Sequence, residues 1–338
     1  MDEGDGRQAL MRAAAGRPVP AFVGFLARRL LGGVVLLACV AAAAFLLVSL
    51  APGDTAQVLA GQAGTDPAYL ELMRERLDLD RPLAYQIVSY VGAVARGDLG
   101  FSVVEGRPVR DAIVARLWPS LLLAGTALLL AAVAGVALGV VAAVRRGTAV
   151  DLAVSLLSVA GLSLPVFWLG QLLVALFAVR LGWLPAGGMR SAEDPGGAGD
   201  VLRHLLLPAS TLALLLLALT VRVTRAAMSA ELVADYVAVA RAKGASERHV
   251  ALRHALRNAL RPVVTILTGY LGLLLTGAVL VETVYVWPGL GRLLYQSVLS
   301  RDTPMLTGIL LLSALAVILA NLLADVLYRV LDPRTGFE

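Results

Sequence analysis

DYVAVARAKGASERHVALRHALRNALRP, residues 235–262, is a short, basic, water-compatible stretch between two hydrophobic runs. Arg241, Lys243, Arg248, Arg253, Arg257 and Arg261 stand there against Asp235 and Glu247, and Lys243 is the only lysine in the chain. A loop this rich in Arg between two membrane spans marks the cytoplasmic side. Val237, Val239 and Ala240 lie near one side of a helical stretch that ends at Lys243, where Gly244 supplies a left-handed stop. Ser246 is placed to N-cap a second helix, whose apolar positions Val250, Leu252, Leu256 and Leu260 fit a helical stripe only loosely. The small residues Ala238, Ala240, Ala242, Gly244 and Ala245 keep this surface thin, so a groove of another protein could approach the backbone. The pattern describes a rigid knob; an ordinary basic loop held to anionic lipid is the other reading.

Outward from the knob, 59% of the 338 residues are hydrophobic and mean hydropathy is +0.80, more apolar surface than a soluble domain uses. Uncharged runs at 30–50, 120–144, 152–179, 205–221, 262–281 and 304–324 carry it. A helix crosses the hydrocarbon with roughly 20 apolar residues, so the expectation is six transmembrane helices and no closed barrel. With the N-terminus inside, the inner segments hold more than half of the 29 Lys and Arg residues. Both termini are therefore expected in the cytoplasm. The basic balance reports topology and gives no reason to expect nucleic acid. Cys39 is the only cysteine, so no intramolecular disulfide can form.

The expected organisation is a cytoplasmic tail at 1–27, a first span at 28–50, an extracytoplasmic helical segment at 51–116, a membrane core at 117–331 with a cytoplasmic loop at 229–261, and a C-terminal tail at 332–338. In the extracytoplasmic segment Asp66 and Pro67 start one short helix and Pro82 another that stops at Gly97. They form a cap too small to bury its own core. Pro165 sits inside the longest run, which is then either a hinge or broken helix lining a cavity or one tilted, kinked helix. Gly135 and Gly139 form a GxxxG pair, a weak sign of close helix packing in a glycine-rich chain. Gly269 and Gly272 lie in the fifth run, Glu282 at its end, and Asn321 and Asp325 at the end of the sixth. Ionisable groups near membrane depth are often functional. Glu282 and Asp325, however, fall at expected interfaces, where water, Arg292 or Arg329 could satisfy them. Trp183, Trp287, Tyr285 and Tyr295 suit an outer aromatic belt.

No GxxxxGK[ST] loop, HExxH or paired-cysteine pattern occurs. His249 and His254 stand five apart, on different sides of a helix. Mid-span acids of the kind that relay protons or sodium are absent from the sequence. Energy must then come from outside the spans, and the cytoplasmic knob is the place to deliver it.

At this point the chain resembles the permease subunits of ABC importers, in the dipeptide/oligopeptide/nickel group and its first-permease (B-type) branch. Ala238-Val239-Ala240 followed by Gly244 is similar to the family's EAA–x3–G cytoplasmic signature, with Ala238 in place of its Glu and Arg257 in place of its first late proline. Ala240–Gly244 and Arg253–Pro262 match the peptide-permease form of that loop. Pro52-Gly53-Asp54, Leu77–Pro82, Gly97–Ser102, Ser163–Gly170, Gly182–Ala186, Val281–Asp302, Asn321–Asp325 and Leu331–Arg334 resemble further family blocks in order, leaving out only the N-terminal tail.

The resemblance implies an all-α integral membrane protein with the type I ABC importer permease fold, a small helical extracytoplasmic cap and a cytoplasmic coupling-helix loop. It implies a non-catalytic subunit with no cofactor of its own, ATP and Mg being held by partner subunits. Expected partners are a sister permease, one or two ABC ATPase subunits, an extracytoplasmic substrate-binding lipoprotein and membrane lipid. Tyr236, Ala240, Arg241, Lys243, Gly244, Ala245 and Ser246 would form the ATPase-coupling surface. There Ala240 and Gly244 would permit close docking, and Arg241 and Lys243 would pair with acidic groove rims. Pro165, Gly269, Gly272, Glu282 and Asn321 are the candidates for hinge or pathway roles. Peptides are the expected cargo, with nickel, glutathione or an oligosaccharide as alternatives. A secondary carrier or channel is the rival class.

Overall fold

A computed structural model describes residues 19–49, 67–76, 81–191 and 196–331. The motif residues Pro52–Asp54, the cap residue Asp66 and the linker 77–80 lie outside the described residues, as do both extreme termini. In chain order, α1 is Val19–Ser49, α2 Pro67–Arg76 and α3 Leu83–Ala95. A hairpin of β1 (Phe101–Ser102) and β2 (Arg107–Pro108) follows, antiparallel with Phe101 opposite Pro108. Then come α4 (Val109–Val144), α5 (Ala149–Ser163) and α6 (Val166–Leu173), the last running on as a π-helical segment to Arg180. Next are α7 (Ala198–Glu231), α8 (Asp235–Ala242) and the short α9 (Glu247–His249). A π-helical stretch at Val250–Ala255 leads into α10 (Leu256–Gly277). Finally come α11 (Val279–Val284), α12 (Leu290–Leu299) and α13 (Thr303–Leu331).

Four of these helices, α1, α4, α7 and α13, are long and apolar enough to cross a membrane, and the α5–α6 pair makes five if it is one span. The run 262–281 lies mostly in the 22-residue α10. The described residues therefore do not present six straight spans. The run 152–179 is not a single kinked helix: α5 and α6 meet at 106°. Pro165 is the cause. Its ring disfavours helical backbone at the residue before it, and Leu164 is extended, with ψ 129°.

The core forms where α4 and α7 pack together, the most extensive helix pairing among the described residues. Gly135 and Gly139 make that approach possible. A Cβ on Gly135 would stand 2.7 Å from Thr220 Cβ, and one on Gly139 2.6 Å from Thr224 Cβ and 2.9 Å from the Val221 carbonyl. The GxxxG pair is thus a true helix–helix seam. Gly139→Leu should force the helices apart at a cost of about 1–3 kcal/mol or more. Gly125 on the same helix has nothing within 4 Å of a Cβ, so Gly125→Leu is the control. Thermal unfolding of the two purified variants should show a clear drop for position 139 alone; equal melting would mean the seam tolerates bulk.

The aromatic belt needs correcting. Trp183 is 61% exposed, as expected, but Trp287 and Tyr285 are buried to 0% and 1%. Their polar tips are satisfied inside: Trp287 Nε1 donates to the Pro119 carbonyl at 3.0 Å, and the Tyr285 hydroxyl donates to the Gly170 carbonyl at 3.1 Å and shares a 2.7 Å bond with Thr211 Oγ1. An amphipathic ring with internal partners has no need of the interface.

Two motif blocks that are distant in sequence meet in space. Ser102 Oγ donates to the Asp302 carboxylate, whose other oxygen accepts from Met305 N at 3.2 Å and caps the start of α13. The hairpin end of the Gly97–Ser102 block is therefore pinned to the last span. Leu99, Val109, Ile113, Leu293, Met305 and Ile309 pack beside this junction.

Candidate functional site

The knob is built from the end of α7, all of α8, and the start of the helix leading into α10. Asp235 begins α8, a favourable place for a carboxylate at a helix N-terminus. The helix closes at Gly244, whose φ of +85° is the left-handed conformation a Cβ disfavours. Gly244 N donates to the Arg241 carbonyl at 2.9 Å and Ala245 N to the Ala240 carbonyl at 3.2 Å. These are the paired bonds of a Schellman stop. Ser246 then N-caps the next helix, accepting from His249 N at 3.4 Å.

Side chains brace the two arms. Arg241 Nε and Nη2 donate to Glu247 at 2.8 and 3.1 Å, and Nη1 donates to the Leu232 carbonyl at 3.1 Å. This guanidinium holds the Glu247 carboxyl below the usual carboxylate range, while the carboxylate raises Arg241. Arg241 therefore ties α8 to both neighbouring segments. The Tyr236 hydroxyl donates to Glu231 and accepts from Asn258 Nδ2 at 3.1 Å, joining the end of α7 to the start of α10. Desolvation first, and Glu231 second, push its phenol pKa upward. Val237 and Val250 are fully buried beneath these links.

What remains outward is thin and partly apolar. Val233 and Val239 are exposed, as are Ala238, Ala242, Lys243 and Gly244, with Ala240 and Ala245 half-buried. No atom lies within 4 Å of a Cβ built on Gly244, so its outer side is open. The expected stripe of Val250, Leu252, Leu256 and Leu260 holds only in part. Val250 is buried and Leu256 half-buried, but Leu252 is exposed, and Ala251, Ala255 and Ala259 are buried beside Ala143 and Met228. The π-helical widening at Val250–Ala255 shifts the phase, and small alanines in the contact carry little periodic signal.

The structure brings the seven knob residues together. It does not gather the other candidates into one site. Pro165 stands at the α5–α6 break and is exposed. Gly269 and Gly272 lie along α10, and Gly269 has nothing close to a Cβ. Asn321 lines a groove between α1 and α13. Glu282 is fully buried at the opposite end of α10 from the knob. Its partners are not water and the Arg292 guanidinium: Ser120 Oγ donates to Oε1 at 2.6 Å and the Arg292 backbone N–H to Oε2 at 3.0 Å. Ser120 Oγ in turn accepts from Leu290 N at 2.7 Å. Glu282 and Ser120 thus cap α12, and Gly289 and Gly291 leave room for them. Asp325 pairs with Arg29 at 2.7 Å.

Sequence reasoning missed Asp151 and Arg225. Arg225 Nε and Nη2 donate to the two Asp151 oxygens at 2.5 and 2.9 Å, and Gly147 N donates to Asp151 at 3.0 Å. The pair joins the start of α5 to the last turns of α7, near the knob. A lone acid just after Arg145-Arg146 reads as a topology flank in sequence. Among the described residues no cluster of three or more His, Cys, Asp or Glu could hold a metal.

Comparisons with known proteins agree across the chain. The family described as binding-protein-dependent transport system inner membrane component matches residues 135–337, and its N-terminal companion matches 22–124. The glutathione transport system permease protein GsiC of Escherichia coli (strain K12) is 42% identical over 314 residues, covering 93% of this chain and 99% of the relative. GsiC of Shigella dysenteriae serotype 1 is similar to the same extent. Among solved structures, the inward-facing MetNI methionine ABC transporter superposes with a TM-score of 0.52 at 21% identity, covering 65% of this chain and 96% of that one. That likeness is one of fold.

Proposed function

From the premise that the chain belongs to the family of binding-protein-dependent transport system inner membrane components, as a permease subunit of an ABC importer, we propose that the knob at Tyr236–His249 is where a separate ATPase subunit docks. The observation that carries this reading is the Schellman stop at Gly244 with its Arg241 and Tyr236 braces: a handle that is stiff, thin on its outer side, and continuous with α7 and α10. When ATP closes the ATPase pair, a push on such a handle tilts the spans. A cavity shared with a sister permease then alternates between outside and inside.

The cargo in this proposal is a short peptide delivered by an extracytoplasmic binding protein. Glutathione, a tripeptide, is the first to test, because the relatives at 42% identity are named for its transport. Both termini face the cytoplasm, and the chain itself holds no nucleotide. The experiment is reconstitution. Purified alone, the chain should neither bind nor hydrolyse ATP. With sister permease, ATPases and binding protein in proteoliposomes, hydrolysis should rise when the binding protein is loaded with glutathione or a dipeptide, and the labelled cargo should accumulate. Sustained ATP turnover by the isolated subunit, or uptake without any ATPase, would overturn it.

A further inference from the structure

α1 packs chiefly against α3 and α13 and so stands at the edge of the described bundle. Between α1 and α13 runs a groove of about 520 Å³. Its floor is tight, since a Cβ on Gly33 would stand 2.8 Å from Ile318 Cγ2, but at Gly32 nothing lies within 4 Å. One end is charged: Arg28, with the Arg29–Asp325 ion pair beside it. From there the lining becomes mostly apolar, toward Leu36 on one wall and Leu322, Leu319 and Ile318 on the other, with Asn321 the one polar side chain below the charges among the described residues. At 1.5 Å per residue the apolar part reaches about 10 Å down each helix from the charges.

A cationic mouth over an apolar trough, at the charged end of two membrane spans, has the polarity profile of a phospholipid. Among the described residues the mouth carries two arginines against one carboxylate, which suits an anionic headgroup. A water-soluble anion would leave most of the trough unused. We propose that this groove binds an anionic phospholipid of the inner leaflet, its phosphate against Arg28 and one acyl chain along Leu36, Leu319 and Leu322. Arg28 reaches the phosphate while its stem covers apolar surface, and the Arg29–Asp325 pair holds the two walls together at the mouth.

The test uses the assembled importer in phosphatidylcholine vesicles containing a minor fraction of photoreactive phosphatidylglycerol. Labelled peptides should map to the Arg28–Leu36 and Ile318–Asp325 segments. Arg28→Ala should cut labelling about five-fold, the factor one basic residue contributes near an anionic surface, and Arg28→Lys should restore most of it. Gly32→Leu keeps every charge and fills the trough, so it should also cut labelling. Labelling as strong as wild type in Arg28→Ala and Gly32→Leu sinks the proposal, as does labelling of the wild type by a phosphatidylcholine probe at the same level. Competition by inorganic phosphate would make this a free-anion site, and crosslinking of Gly32→Cys to the sister permease would make it a protein contact; either outcome rejects the lipid.

Discussion

Gly244→Val should reach the membrane at normal levels and fail to transport. The spans do not depend on this position, which lies in the knob and has an open outer side. The backbone there does depend on glycine. At φ +85° a side chain costs about 1–2 kcal/mol, and a β-branched one falls at the upper end. That is roughly a 5–30-fold loss in the population of the correctly closed loop. The bonds from Gly244 N and Ala245 N weaken with it, and so does the angle between α8 and the following helix. Added bulk on the outer side compounds the loss wherever a partner must come close. Gly244→Asn separates the two causes, because Asn tolerates the left-handed conformation but still adds a side chain. Uptake and ATPase co-purification at matched expression are the readouts. Recovery in the Asn variant assigns the effect to backbone; failure in both assigns it to bulk. Normal transport by Gly244→Val would remove the knob from the coupling path.

The largest structural effect is expected at Glu282. Its carboxylate is fully buried and accepts from Ser120 and the Arg292 N–H, and Ser120 holds Leu290 N. Glu282→Leu is close in volume but accepts nothing. It strands a hydroxyl and an N–H inside the protein, each costing about 1–3 kcal/mol. The turn carrying Trp287, Gly289 and Gly291 then loses the group that organises it. Glu282→Gln keeps one acceptor oxygen and should lose less than half as much. Thermal melting of the purified subunit orders the three proteins: wild type, then Gln, then Leu well below. A Leu variant that melts with wild type would show that packing alone holds the turn.

The knob and the apolar runs were legible in the sequence because they rest on local signals: Gly244 after a helical run, Ser246 as a cap, Pro165 within a long span. The choice between kink and break at Pro165 was not, since it depends on what packs against α6, and Gly170 sits against Tyr285 and Val284. Trp287 and Tyr285 were misplaced for a related reason. An amphipathic ring suits an interface or a core with partners equally well, and the partners, Pro119, Thr211 and Gly170, are far away in sequence. Glu282 looked interfacial by its distance from the end of a run, but Ser120, 162 residues away, gives it an interior. Arg241 has a bidentate contact with Glu247 six residues on, a surface pairing across the Gly244 stop that the spacing did not announce. Non-local polar pairing leaves no periodic trace in a single sequence, so these are the features that composition and spacing could not reach.

The length of α7 has its own consequence. With 34 residues it extends about 51 Å, against about 30 Å of hydrocarbon. Tilting by 40°, the steep end of what spans adopt, still leaves a rise of about 39 Å. Its polar end from Arg222 to Glu231 adds about 15 Å beyond the apolar run before α8 begins. The knob is therefore carried at the end of a helix longer than the hydrocarbon is thick, and that helix is clamped near its end where Arg225 grips Asp151. A rotation about that clamp is carried outward to the knob, and the part of α7 beyond the clamp sets how far the tip moves.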